Sequence, residues 1–142
     1  MDEKWRLYLD QIDFFSVRHS RKIKNGKDFT IVKKGQYFSR IHVTDICMAT
    51  IISIKLPTSG EIYNVSDDES APINIVQQFG ANILNKNNLK EIHFECANLS
   101  DQAKYFYNDN KKVSNHKIKK QLNIRWKYPN YRIGLIACTE SI

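Results

Sequence analysis

The chain has 142 residues, the size of one ordinary domain, and 42% of them are hydrophobic, which excludes an intrinsically disordered tail and predicts a packed core. No apolar run approaches the roughly 18 residues of a membrane span, and the acidic start Met1-Asp2-Glu3-Lys4-Trp5 lacks the apolar centre of a secretory signal. The net charge of +7 is uneven: residues 1–40 carry +5, residues 41–103 carry −5 and residues 104–132 carry +8.

In chain order, Trp5 to Leu9 reads as a short strand, and residues 10–27 show no period before the Asn25-Gly26 turn signal. Asp28 to Val32 and Gln36 to Val43 read as two strands joined by Lys33-Lys34-Gly35, a hairpin with glycine at the position that needs positive φ. On the second strand Phe38, Arg40 and His42 share one face. Thr44 is the expected N-cap of a helix to about Lys55, with Asp45 in its first turn, where the helix dipole favours an anion. That helix is apolar on nearly every side, so it is expected to be buried. Glu61 to Val65 reads as a strand, with the polar loop Ser66-Asp67-Asp68-Glu69-Ser70 at its carboxyl end. Pro72 is expected to open a helix with a core stripe of Ile75, Val76, Phe79 and Ile83. Glu91 to Glu95 reads as a strand with Ile92 and Phe94 on one face. Ser100, Ser114 and Asn130 are expected to cap three short helices, the second carrying Ile118 and Leu122, the third Ile133, Leu135 and Ile136.

Three cysteines at wide spacing (Cys47, Cys96, Cys138) form no Cys-x-x-Cys pair and point to reduced thiols in a cytoplasm. The five glycines lie too far apart for a Gly-x-Gly-x-x-Gly turn or a phosphate loop, so no NAD or NADP site is expected in this chain. The basic block at 104–132 is interleaved with Tyr105, Phe106, Tyr107, Trp126, Tyr128 and Tyr131, which keeps a small basic binding module for nucleic acid or another acidic partner as an alternative. Lysine greatly outnumbers arginine there, which favours a solvated surface over core aromatics and no specific nucleic-acid site.

Four segments in order resemble a known family. Phe38-Ser39-Arg40-Ile41-His42-Val43-Thr44-Asp45-Ile46 resembles the Ile-His-Val-x-Asp segment of the extended and atypical short-chain dehydrogenase/reductases, which include the NAD-dependent epimerases and dehydratases. Gly60 to Glu69, with Tyr63-Asn64-Val65, looks like their following strand and loop. Asn110 to Asn115 with Lys119 to Leu122 is similar to the late part of their substrate-side lobe, and Tyr128 to Leu135 to their closing helix. The resemblance implies an α/β chain: the C-terminal part of a Rossmann-type NAD(P)-binding protein, lacking the Gly-rich half that carries the catalytic Tyr-x-x-x-Lys. It divides the chain into a poorly matched segment 1–27, where Ile12 to Ser16 replaces the family's Gly-x-Tyr-Gly-Pro, and a substrate-side lobe 28–142. A truncated protein, a remnant or one half of a split gene, without catalytic activity alone, is implied. Its expected partner is a separately encoded nucleotide-binding half or a second copy of itself, with no membrane association.

Candidate site residues follow on that basis. In UDP-sugar epimerases an arginine on the corresponding strand, nearer the place of Phe38, contacts substrate phosphates; Arg40 is two residues displaced on the same face, and the resemblance implies a bidentate contact from it to an anionic substrate. His42 is a second substrate-side candidate, and Asp45, Tyr63 and Asn64 are structural members of the motif. Tyr107 and Lys111 have the Tyr-x-x-x-Lys spacing, but Asn108-Asp109-Asn110 is poor helix and the spacing is read as chance. His93 and Cys96, with Cys47 and His116 far off, offer no four convergent ligands, so no metal site is expected. No catalytic residue is assigned.

Overall fold

A computed structural model describes residues 6–8, 29–86 and 88–140. The elements are β1 (Arg6–Tyr8), β2 (Phe29–Val32), α1 (Val43–Lys55), β3 (Ile62–Asn64), α2 (Ile73–Ile83), β4 (Lys90–His93), a single 3-10 turn (Phe94–Cys96), α3 (Asp101–Phe106), α4 (His116–Leu122) and α5 (Tyr131–Glu140). Apart from β1, the segment 1–27 lies outside the described residues.

The strands form two parallel pairs. β1 runs beside β3, with Leu7 opposite Tyr63; β2 runs beside β4, with Ile31 opposite Ile92. The expected hairpin is therefore corrected: β2 pairs with a strand about sixty residues on, and Gln36 to Val43 holds only one antiparallel bridge, Phe38 to Ala71. The turn itself is present, with Gln36 N–H donating to Lys33 C=O and Gly35 at φ +76°. Positive φ at Gly35 alone is the signature of a type II turn, whose twist splays the flanking segments. Gln36 then leaves β2 altogether, its Nε2 donating to the carbonyls of Tyr107 and Asp109.

Helix α1 departs from expectation in two ways. Its N-cap is His42, still extended at φ −74° and ψ 141°, whose Nδ1 accepts from Thr44 N–H at 3.2 Å. The chain turns helical one residue before Thr44, so Thr44 lies inside the first turn. Nor is α1 buried all round. It buries the small or polar Asp45, Ala49 and Ser53, while Ile51 and Ile54 are 52% and 59% exposed. Ala49 packs in one cluster with Tyr63 of β3 and with Val65, so α1 is covered on that side.

Four apolar clusters result among the described residues, the smallest being Ala81 and Leu89 with Leu84 against them. Ala49 of α1, Tyr63, Val65, Ile118 and Leu122 of α4, Ile124 and Trp126 form the first, with Ile46, Met48 and Ile52 against it. Ile31, Phe38, Ile73 and Tyr107 form the second, joined by Ile92, Phe94 and Phe106. Val76, Tyr131 and Leu135 pack α2 on α5 with Phe79 and Ile83. Pro72 caps α2 from outside as an extended residue, and Ile75, expected in the core, points out. Gln77 replaces it inside because Thr30 Oγ1 donates to Gln77 Oε1 at 2.5 Å. Strand β4 ends at His93, and Phe94 and Glu95 enter the 3-10 turn. Ser100 caps α3, accepting from Ala103 N–H at 3.3 Å, and Asn130 Oδ1 accepts from Ile133 N–H at 3.1 Å at the start of α5. α4 begins after Asn115, one residue beyond Ser114, and stops at Asn123 in the left-handed region. On α5 only Leu135 of the expected stripe is buried; Ile133 and Ile136 are exposed.

Candidate functional site

The segment entering α1, the loop leaving β3 and the start of α5 meet at one small pocket. Arg40 and His42 come from the first, Asp67 from the second, and Tyr128, Asn130 and Tyr131 from the third. Asp45 holds these parts in register. It is fully buried, and its two carboxylate oxygens accept from the N–H groups of Lys127 at 2.8 Å and Tyr128 at 2.9 Å. The anion expected to serve the helix dipole thus also pins a segment more than eighty residues away. That pin sets Tyr128 against His42, with ring centroids 4.0 Å apart.

His42 accepts at Nδ1 as the helix cap, which leaves its proton on Nε2, facing Cys138 Sγ at 3.5 Å. Burial lowers its pKa, Asp45 pulls it up and Lys127 pushes it down. The Cys138 thiol is raised by burial. The pair is therefore an uncharged contact between α1 and α5, not an activated thiolate.

Arg40 is 3% exposed and its Nη1 donates to the carbonyls of Phe38 and Ala71, each at 2.9 Å. It lies at the pocket wall with its Nη1 turned away, clamping the Phe38–Ala71 bridge from the side. Asp67 is the charged group that sequence reasoning missed. Its neighbours Asp68 and Glu69 turn outward to Lys119 and Arg132, while Asp67 turns in. Burial pushes its pKa up to about 7; the Glu69 N–H and Arg40 pull it down, and Asp68 and Glu69 push it further up. Asn115 braces this loop, donating to the carbonyls of Ser66 and Asp67 and to Asp68 Oδ1. The available signal was position: a polar loop at the carboxyl end of a parallel strand is where α/β folds put their sites. Near neutral pH this pocket offers a half-titrated carboxyl, a neutral imidazole, an amide and phenol groups, a set that donates and accepts hydrogen bonds.

The remaining candidates lie elsewhere. Tyr63 is buried in the first cluster with its hydroxyl 2.7 Å from Thr58 Oγ1, and Asn64 is exposed beside it. Tyr107 ends α3 among Phe38, Phe94 and Phe106, and Lys111 lies beyond that helix, so they share no helix face. His93, Cys96, Cys47 and His116 are all exposed, and no cluster among the described residues has the make-up of a metal site. Of the aromatics in the basic block, Tyr107, Trp126 and Tyr131 belong to the core. Lys104, Lys111, Lys117, Lys119 and Arg132 each meet a carboxylate. Among the described residues no helix is long and apolar enough to cross a membrane.

Parallel strand pairs with helices in the crossovers, and a pocket at a strand's carboxyl end, are features of a Rossmann-type α/β fold, which this chain shares in part. Solved structures that share it include an epimerase and a dehydratase of nucleotide sugars, each over part of its length, as the sequence motifs lead one to expect. A protein of unknown function from Silicibacter pomeroyi DSS is 40% identical, with a TM-score of 0.83 over 86% of this chain and 43% of its own. UDP-N-acetylglucosamine 4-epimerase from Bacillus cereus is 17% identical, with a TM-score of 0.66 over 96% of this chain and 43% of its own. dTDP-glucose 4,6-dehydratase from Bacillus anthracis, solved with NAD, is 15% identical, with a TM-score of 0.65 over 95% and 41%. The chain thus spans about two fifths of each. The sequence matches no family model and no curated protein.

Proposed function

We propose that this chain is the substrate-side part of an epimerase/dehydratase-like protein, without oxidoreductase activity alone and completed by a nucleotide-binding part. One observation carries the reading: the fold is shared over nearly the whole chain, yet that is about two fifths of each neighbour. The scarcity of glycine supports it. A dinucleotide needs a Gly-rich turn opening onto a helix N-terminus, and no two glycines here are spaced to make one. In the assembled protein the Asp67 pocket is the substrate-side candidate. Asp67, His42 and Asn130 orient a polar ligand there, with Arg40 at the pocket wall to favour an anionic one.

Fluorescence titration of the pure chain with NADH tests the reading. No saturable binding is expected up to hundreds of micromolar. A micromolar Kd would overturn it.

A further inference from the structure

Asp67 is only partly satisfied by the chain around it. It is 6% exposed, its Oδ1 accepts from Glu69 N–H at 3.1 Å, and its Oδ2 has no hydrogen-bond donor among the described residues. That oxygen is not sealed in protein; it borders the pocket that Asp67 lines. Asn130 spends its Oδ1 on Ile133 N–H at the start of α5, which keeps its Nδ2 as a donor for the same pocket. Ile41, Leu135 and the Tyr128 ring supply apolar wall. The charged and titratable groups around Asp67 come from every side of the pocket. Arg40 arrives on the segment entering α1, and His42 on that segment is neutral near pH 7 because burial lowers its pKa. On Asp67's own loop, Asp68 and Glu69 are paired outward with Lys119 of α4 and Arg132 of α5. Lys127 lies over the Tyr128 ring, 5.2 Å from its centroid, and burial keeps the proton on the Tyr131 phenol.

Resting on the reading of this pocket as the substrate side, we propose that it holds the carboxylate of a small acid, bound together with one proton that Asp67 Oδ2 takes from solvent and shares with the ligand. Charge decides the class. With Asp67 protonated, Arg40 is the only formal charge among the lining residues, and one negative charge on the ligand balances it. A cationic ligand would meet that guanidinium instead. A phosphate dianion would bring a second charge for which the lining residues hold no cation. A hydrogen bond from a carboxylic acid to a carboxylate is among the short, strong ones, and Asn130 Nδ2 can donate to the ligand's second oxygen. Burial that raises the Asp67 pKa to about 7 puts the shared proton within reach of neutral pH.

The test uses the full chain with sodium propionate and its neutral isostere propionamide, followed by proton NMR at constant ionic strength. Propionate should bind saturably at pH 6, at least tenfold more tightly than propionamide, and its Kd should rise at least tenfold by pH 8.5. Calorimetry in two buffers of different ionisation enthalpy should show uptake of close to one proton per propionate at pH 8. Asp67→Asn keeps a donor at that place but no titrating group, so this variant should bind propionate with neither pH slope nor proton uptake. Gly134→Ala is the second variant. Its added Cβ would lie 3.6 Å from a His42 ring carbon, an ordinary contact, so it should melt like the parent while taking up pocket room and weakening propionate. No saturable binding, equal binding of acid and amide, or a pH slope that Asp67→Asn retains would each overturn the proposal. NADH titration of the same sample keeps the two readings apart. Failure with propionate and no NADH binding leaves the functional reading standing, whereas a micromolar Kd for NADH overturns that reading whatever propionate does.

Discussion

The two strand pairs are built to the same plan and finished to different degrees. Around β2 and β4 the chain supplies cover from its own later residues: Phe38 stacks on Phe106 with centroids 4.6 Å apart, Tyr107 packs edge-on against Phe38, and α2 anchors Thr30 through Gln77. Around β1 and β3 it supplies α1 and α4 and leaves Ile51, Ile54 and Ile62 exposed. Composition does not separate the regions, since both are rich in large apolar residues. What separates them is whether the chain returns to cover what it exposes.

Substitutions in the closed region should therefore be felt in folding and those on the open face should not. Phe38→Ala removes a ring packed among Phe106, Tyr107 and Ile73, and should cost about 3–5 kcal/mol. Denaturant unfolding with an unchanged slope is the check, and a loss under 1 kcal/mol would mean that this region is not closed. Asp45→Ala acts where α1 meets the segment entering α5. It leaves the buried N–H groups of Lys127 and Tyr128 without their carboxylate, at a cost of about 2–4 kcal/mol, and should release Tyr128 from His42, visible as a change in the histidine proton shifts.

The Asp67 carboxyl gives a pH dependence. Its folded pKa, about 7, lies above the ordinary 3.8. The folded state keeps a proton that the unfolded state releases, so stability is fully present below about pH 4 and is lost as pH rises through 7. At roughly 1.4 kcal/mol per unit the full shift is an upper limit, and the open pocket mouth reduces it to about 2 kcal/mol. Melting between pH 5 and 8 should show the decline, and Asp67→Asn should flatten it and raise stability at pH 8. Equal slopes in both proteins would show that Asp67 is ionised throughout. The smallest effect belongs to the open face: Ile51→Lys should change unfolding by less than about 0.5 kcal/mol, while reducing light scattering of concentrated protein. A loss above 2 kcal/mol would mean that the stripe is covered from within the chain.

Helix existence was legible wherever periodicity followed a start signal, as in α2 after Pro72 and in α4 after Ser114 with its buried Ile118 and Leu122. Order of motifs was legible too, because the segment around Ile41, His42 and Asp45 keeps its spacing whatever packs on it. At the pocket the sequence singled out Arg40 and His42, yet not what each touches. Asp67 was hidden among three adjacent acids of equal appearance, and only the positions of Lys119, Arg132 and Asn115 decide which of them turns inward. Strand partners were equally out of reach. Gly35 announces a turn from the absence of a side chain alone, but whether the chain then doubles back is settled by which backbone offers β2 its hydrogen bonds, and β4 lies about sixty residues away. Local chemistry thus determined turns, caps and helix stripes, because each depends on neighbours in sequence. The tertiary structure alone decided strand pairing, the inward acid and the open face of α1, because each depends on which distant surface arrives to share a hydrogen bond or exclude water.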